Sequence, residues 1–261
     1  MNVDTHVDRA RRRVRSEREA VDAKIEAFEA FLGRIEELSA EPNLAASSAT
    51  TAVGTQPHVT AGGEGRCRQV RTAFAETIRP HSVDDTDGAE SLLETIREEF
   101  TETIAVALVP TTDAPFTPGL KGAIVAQAEA RRAEATAFAR ALDRETDQLD
   151  AAGDAADEIT GWIDRSEEPP PSAVGFNALK LRHETLDRHR TRCETLARDR
   201  QEFLEETTNN GIEAGIRHRQ LVPYLYGPLS VDHPVLATVV RLDAACEEYQ
   251  RVLRDHLTRR R

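Results

Sequence analysis

From Ile124 to Ile163 apolar and small residues return in steps of three and four: Ile124, Ala128, Ala135, Phe138, Leu142, Leu149, Ala152, Ala156, Ile159 and Ile163. That spacing brings each of them back to one face every two turns, so the stretch predicts one long helix with a coiled-coil-like seam. Such a seam needs a second helix to cover it. At 1.5 Å per residue the rod is roughly 60 Å long, more than a compact core usually accommodates, and the chain is expected to be elongated in part. Thr117-Pro118 offers an N-cap with proline at the first helical position. Gly153 is the obvious breaking point, yet the apolar phase continues across it, and a helical glycine costs only about 1 kcal/mol. A continuous or gently kinked helix is expected, stopped by Pro169, Pro170 and Pro171.

A second long amphipathic helix runs from about Ala173, with Phe176, Leu179, Leu186, Cys193, Leu196, Phe203 and Leu204 assigned to one face and Asn209-Asn210-Gly211 as its stop signal. Two long striped helices joined by a short connection predict an antiparallel hairpin over 118–208. His183 and Arg190 fall on the stripe in heptad phase with Phe176, and are expected at its edge or paired with carboxylates of the first rod. Trp162 belongs near the hairpin tip.

Elsewhere the pattern predicts shorter pieces. Val7, Val14, Val21, Phe28 and Ile35 recur every seven residues in an N-terminal helix over 1–39, capped by Thr5 and Asp8. Between Ala40 and Gly65 periodicity gives way to Pro, Ser, Thr and Gly, the composition of a flexible linker. Cys67, Val70, Phe74 and Ile78 mark a short helix stopped by Pro80. Ser91-Leu92-Leu93-Glu94 is a capping box opening a helix through Leu108, closed by Pro110. Helices over 212–259 end the chain, the last beginning at Asp232-His233-Pro234 and carrying Val235, Val239, Leu242, Cys246, Tyr249 and Leu253. With no sustained alternation, the fold class is all-α: a long antiparallel hairpin packed at its base against shorter helices, within a helical domain over 66–261.

Composition adds the setting. Charged residues make up 31% of 261 positions against 5% aromatics, the balance of helices with wide wet faces, and the formal net charge is −12. Lys24, Lys121 and Lys180 are the only lysines among 34 basic residues. Excess carboxylate with arginine in place of lysine suits a salt-rich cytoplasm, where screening falls to roughly 3 Å at 1 M, although a GC-rich genome gives the same bias. The charge argues against non-specific binding to DNA or anionic membrane. Cys67, Cys193 and Cys246 are widely spaced and odd in number, which reads as reduced thiols in a cytosol. The longest apolar run, Ile104 to Val109, is too short to span a bilayer, and no early segment reads as a signal peptide, so a soluble cytoplasmic protein is expected.

Four segments carry a resemblance: Cys67 to Thr77, Glu90 to Ile96, Leu221 to Tyr226 and Val231 to Leu236. In these the chain resembles an uncharacterised haloarchaeal all-helical family, a domain of unknown function, over nearly its whole length. The resemblance implies a saline cytoplasm and supplies no activity or functional residue.

Chemistry is sparse. Gly62-Gly63-Glu64-Gly65 lacks the strand and the Lys-Ser/Thr of a phosphate-binding loop, and neither a G-x-S-x-G elbow nor a His-Glu-x-x-His pair is present. His189 with Cys193 and His183 with Asp187 have the four-residue spacing of helical metal ligands, but such pairs arise readily by chance, and no metal or cofactor is assigned. The most site-like stretch holds Arg217, His218, Tyr224, Tyr226, Asp232 and His233 among Pro223, Pro228 and Pro234, a combination able to form a ligand pocket or a well-packed corner. Arg9, Arg11, Arg12, Arg13, Arg15 and Arg18 crowd the first helix but surround it, interleaved with carboxylates, as in a solvated helix laced with ion pairs. Three functions are compatible with this sequence. The first is a non-enzymatic scaffold engaging a protein partner or a second copy of itself. The others are a nucleic-acid-associated regulator using the arginine-rich helix, and a small-molecule or metal-binding protein with its site at the 217–233 corner.

Overall fold

The computed structural model describes residues 6–41, 62–82, 91–111, 114–205 and 218–259. They form α1 (His6–Glu37), α2 (Gly62–Glu76), a 3₁₀ turn at Arg79–His81, α3 (Leu92–Glu99), α4 (Glu102–Ala107), α5 (Pro118–Ser166), α6 (Phe176–Glu205), α7 (His218–Tyr226) and α8 (Pro234–Thr258). No strand occurs among the described residues. The fold is all-α, with long helices packed against shorter ones. Most of the expected linker, and the Asn209-Asn210-Gly211 stop, lie outside the described residues, and the linker's expected end is corrected: Gly62 to Gly65 form the first turn of α2, which starts ahead of the apolar row that begins at Cys67.

The chain divides into two compact units, one made of Met1–Arg18 with Arg140–Arg261 and the other of Glu19–Ala139. The boundaries fall inside α1 and α5. Both helices are built as their sequences dictate. The heptad residues of α1, Val7, Val14, Val21, Phe28 and Ile35, are all buried, including those in its arginine-rich N-terminal half. In α5 the Thr117 hydroxyl accepts from the amide of Leu120 at 3.1 Å, completing the N-cap ahead of Pro118.

In the 19–139 unit, Phe28, Phe31 and Ile35 of α1, Val70, Phe74 and Ile78 of the α2 segment, Ile96 and Phe100, Ile104 and Leu108, and Ile124 and Ala128 of α5 share one core. Phe31, Phe74 and Phe100 meet with ring centroids 5.4–6.1 Å apart, in edge-on and tilted contacts of the kind aromatic quadrupoles favour. The Lys121 ammonium donates to the carbonyls of Glu36 and Leu38 at 2.9 and 2.7 Å, placing a cation on the otherwise unsatisfied C-terminus of α1. The Ser91 capping box is complete, with Ser91 Oγ accepting from Glu94 N and Glu94 Oε2 accepting from Ser91 N. The single helix expected through Leu108 is instead two. At Phe100 and Thr101 the backbone leaves helical geometry, and the Thr101 hydroxyl caps α4 by accepting from Ile104 N at 3.3 Å.

In the other unit α5 and α6 form the antiparallel hairpin. Glu145 pairs with Arg200 and Glu158 with Arg192, so each step forward on one helix meets a step back on the other. Pro169 to Pro171 make the corner, where Arg182 donates to the carbonyl of Pro169. The hairpin's apolar edge is shared three ways: Ala156 and Ile159 of α5, Leu179, Leu186 and Cys193 of α6, and Val239, Leu242, Cys246, Tyr249 and Leu253 of α8 form one core. Phe176 departs from the expected buried stripe and is 54% exposed at the first position of α6. Arg190 takes its carboxylate from Asp243 of α8 at 2.8 Å, not from the first rod, and His183 pairs with Asp187 one turn along its own helix.

Candidate functional site

Of the residues expected at the 217–233 corner, Arg217 and the side chain of His218 lie outside the described residues. Tyr224 and Tyr226 are two apart on α7 and therefore face opposite ways. Tyr224 is half exposed; its hydroxyl donates to Glu17 of α1 and the Arg13 guanidinium lies 5.9 Å from its ring centre. Tyr226 is fully buried and donates to Glu145 Oε1 at 2.5 Å. Burial first, then the charge of Glu145, raises its phenol far above the usual tyrosine range. Asp232 and His233 are exposed at the start of α8. The structure thus sends the two tyrosines to different neighbours.

Glu145 is the centre of a buried network. Both its oxygens accept from Arg200, at 2.7 and 2.8 Å, the side chains being 2% and 1% exposed, and Arg200 also lies over the ring of Phe203. In the 19–139 unit, Glu99 of α3 is bound by Lys24 of α1 at 2.7 Å and Arg131 of α5 at 3.0 Å. Burial opposes ionisation of Glu99, but the hydrogen bond and charge of Lys24 and the charge of Arg131 outweigh it, leaving its pKa below the usual carboxylate range. Cys193 and Cys246 are buried together in the α5–α6–α8 core, and desolvation pushes their thiols up to about 11 and about 12. Among the described residues no three His, Cys, Asp or Glu side chains gather as a metal site would require.

A feature that the sequence pattern does not single out lies on the hairpin. Glu158, Trp162 and Arg165 of α5 with Thr185, Arg188, His189 and Arg192 of α6 line a cleft of about 400 Å³. Arg192 is paired with Glu158, and Arg188 donates to the Thr185 hydroxyl at 2.8 Å. Neither Arg165 nor Arg188 has a carboxylate partner among the described residues. A Cβ at Gly161 would sit 3.2 Å from Arg165 Nη1, so the glycine leaves room for that guanidinium along the helix. His189 is 7% exposed, and its Nε2 has no hydrogen-bond partner. Its ring meets Trp162 edge-on with centroids 5.3 Å apart, and Trp162 in turn meets Tyr249. Desolvation, ahead of the opposing charge of Glu158 and the like charges of Arg188 and Arg192, lowers the His189 pKa. The one-turn spacings Trp162–Arg165 and Arg188–Arg192 were the available signal in sequence, concealed because arginines at such spacing usually line a wet face.

These features define an all-α protein of antiparallel helices whose enclosed carboxylates are ion-paired and whose hairpin carries an arginine-lined cleft. No described helix is long and apolar enough to cross a membrane. Within that class the chain belongs to the family described as Domain of unknown function (DUF7260), whose model matches residues 5–250. No curated protein and no solved structure matches it.

Proposed function

We propose that the protein is a non-enzymatic helical scaffold that acts by engaging a protein partner. The observation that carries this reading is the use made of the enclosed carboxylates and thiols. Glu145 holds Arg200 and Tyr226 across α5, α6 and α7, Glu99 joins α3 to α1 and α5, and Cys193 and Cys246 are packed thiols with raised pKa values. Acid–base or nucleophilic chemistry needs a group free to change its proton or bond near neutral pH, whereas these groups fix helix against helix. The arginine-rich half of α1 supports contact within the chain rather than with nucleic acid: Arg11 and Arg18 bind Asp150 and Asp143, and Arg13 pairs with Glu17.

Contact surface is available at the start of α6, where Phe176 and Leu181 are 54% and 61% exposed. Large apolar side chains held in water on a strongly charged protein are natural anchors for a partner. Affinity capture from the lysate of the source cells, at their own salt concentration, tests the reading. A stoichiometric protein partner retained by the native chain and lost from a folded Phe176→Ser, Leu181→Ser variant is expected. Equal recovery with both chains, or no stoichiometric partner with either, counts against it.

A further inference from the structure

The cleft between α5 and α6 calls for a ligand of its own, and its chemistry is independent of the scaffold reading. We infer that it binds a small organic anion, a phosphate or carboxylate group attached to a planar ring. Three guanidinium groups and one carboxylate face the space, and Glu158 is already neutralised by Arg192. Arg165 approaches from α5 and Arg188 from α6, so two cations without carboxylate partners stand on opposite walls. Guanidinium forks match the paired oxygens of carboxylate and phosphate, and bind them through charge-assisted hydrogen bonds. In a chain whose formal net charge is −12, a local excess of positive charge runs against the general composition.

Two further observations point to a ligand and define its second half. His189 lines the cleft, is more than nine-tenths buried, and holds an Nε2 without a partner, a state that buried polar atoms seldom keep unless something else supplies the hydrogen bond. Trp162 lines it as well, its indole steadied edge-on by His189 and Tyr249. An aromatic wall beside paired arginines suits a flat ring that stacks while its acidic group meets the guanidinium groups. A volume of about 400 Å³ is in the range that encloses a molecule of this size.

Trp162 is the only tryptophan of the chain, so its fluorescence reports on this cleft alone. The full chain is titrated with phenyl phosphate, benzoate, adenosine 5′-monophosphate and inorganic phosphate, at the lowest KCl concentration at which circular dichroism retains the native helix content. At least one of the three ring-bearing anions is expected to give a saturable change with a Kd below about 1 mM, and inorganic phosphate to bind more weakly. The double variant Arg165→Gln, Arg188→Gln is expected to weaken that binding by about tenfold or more with unchanged circular dichroism, since it removes two charge-assisted contacts. Arg251→Gln, an exposed arginine paired with Glu248 outside the cleft, is expected to bind as the native chain does. Phenyl phosphate against benzoate separates a phosphate ligand from a carboxylate. Failure of all three ring-bearing anions to saturate, native affinity in the Arg165 and Arg188 double variant, or inorganic phosphate binding as tightly as its phenyl ester overturns the inference. None of these results bears on whether a protein partner is captured through α6.

Discussion

Glu145 is a carboxylate whose two supports differ in kind. Arg200 neutralises it in a place water does not reach, while Tyr226 adds one hydrogen bond to an acceptor that is already paired. Removing the cation strands a buried charge, a loss of about 3–5 kcal/mol, so Arg200→Met is expected to destabilise far more than its change in shape suggests. Tyr226→Phe removes only a hydrogen bond to a charged group, about 1.5–3 kcal/mol. Urea unfolding followed by circular dichroism ranks the two; equal losses would mean that Tyr226 supports the carboxylate as strongly as Arg200 does, and that no stranded charge results. The thiols allow a second check. With Cys193 and Cys246 buried and raised to about 11 and about 12, neither presents thiolate at pH 8, and Ellman's reagent is expected to leave both untouched in the native chain while titrating all 3 cysteines in denaturant. Their burial was legible, because both lie in phase with leucines. The commitment of Tyr226 was not: Tyr224 and Tyr226, both beside prolines, look alike in sequence, and only the two-residue step along α7 sends one inward to Glu145 and the other to Glu17 at the surface.

At the scale of the element, capping residues and helix-initiating prolines marked the starts of α3, α5 and α8, whereas α2 begins before its apolar row. Gly153 lies inside the unbroken α5 and makes room for a crossing side chain. A Cβ there would fall 2.4 Å from Arg11 Nη2, and Arg11 reaches past it to donate to Asp150 Oδ1 at 2.8 Å. Alanine at 153 should therefore gain about 1 kcal/mol of helix propensity while pushing aside a surface ion pair whose contribution is about 0–1 kcal/mol. Gly153→Ala is expected to stabilise the Arg11→Ala background by the full propensity difference and the native background by less. Thermal unfolding of the four chains measures that coupling; identical shifts in both backgrounds would show that Arg11 does not use the gap. Gly227 is the opposite case, since a Cβ would lie 2.6 Å from the carbonyl oxygen of Pro223, backbone that cannot swing away. The break between α3 and α4 escaped a reading by phase because Ile96, Phe100 and Ile104 keep helical spacing across it. The informative residue was Thr101, a second cap inside an unbroken apolar row.

For the molecule as a whole, apolar periodicity identified which edges are buried but not what covers them: α8 shares the hairpin's core, and Asp243 of α8, not the long rod, receives Arg190. The cleft stayed hidden for a related reason, since its arginines match the pattern of a solvated face and only the pairing of α5 with α6 makes them converge. Charge has two consequences at this scale. Glu99 has a folded-state pKa below its unfolded value, so its contribution is complete above about pH 4.3 and is lost as pH falls through the lower folded value. Glu99→Gln should therefore be less stable than the native chain by a constant amount above about pH 5, with the gap narrowing in acid below about pH 4.3. Salt acts on a different term. At −12 the chain repels itself, whereas exposed pairs such as Arg34–Glu76 and Arg97–Glu102 contribute little individually and are themselves screened. Shortening the screening length from about 10 Å at 0.1 M to about 3 Å at 1 M should relieve more repulsion than it removes attraction. The melting temperature at neutral pH is accordingly expected to rise over that range of KCl; a fall would mean that the ion pairs, added together, outweigh the excess of carboxylates.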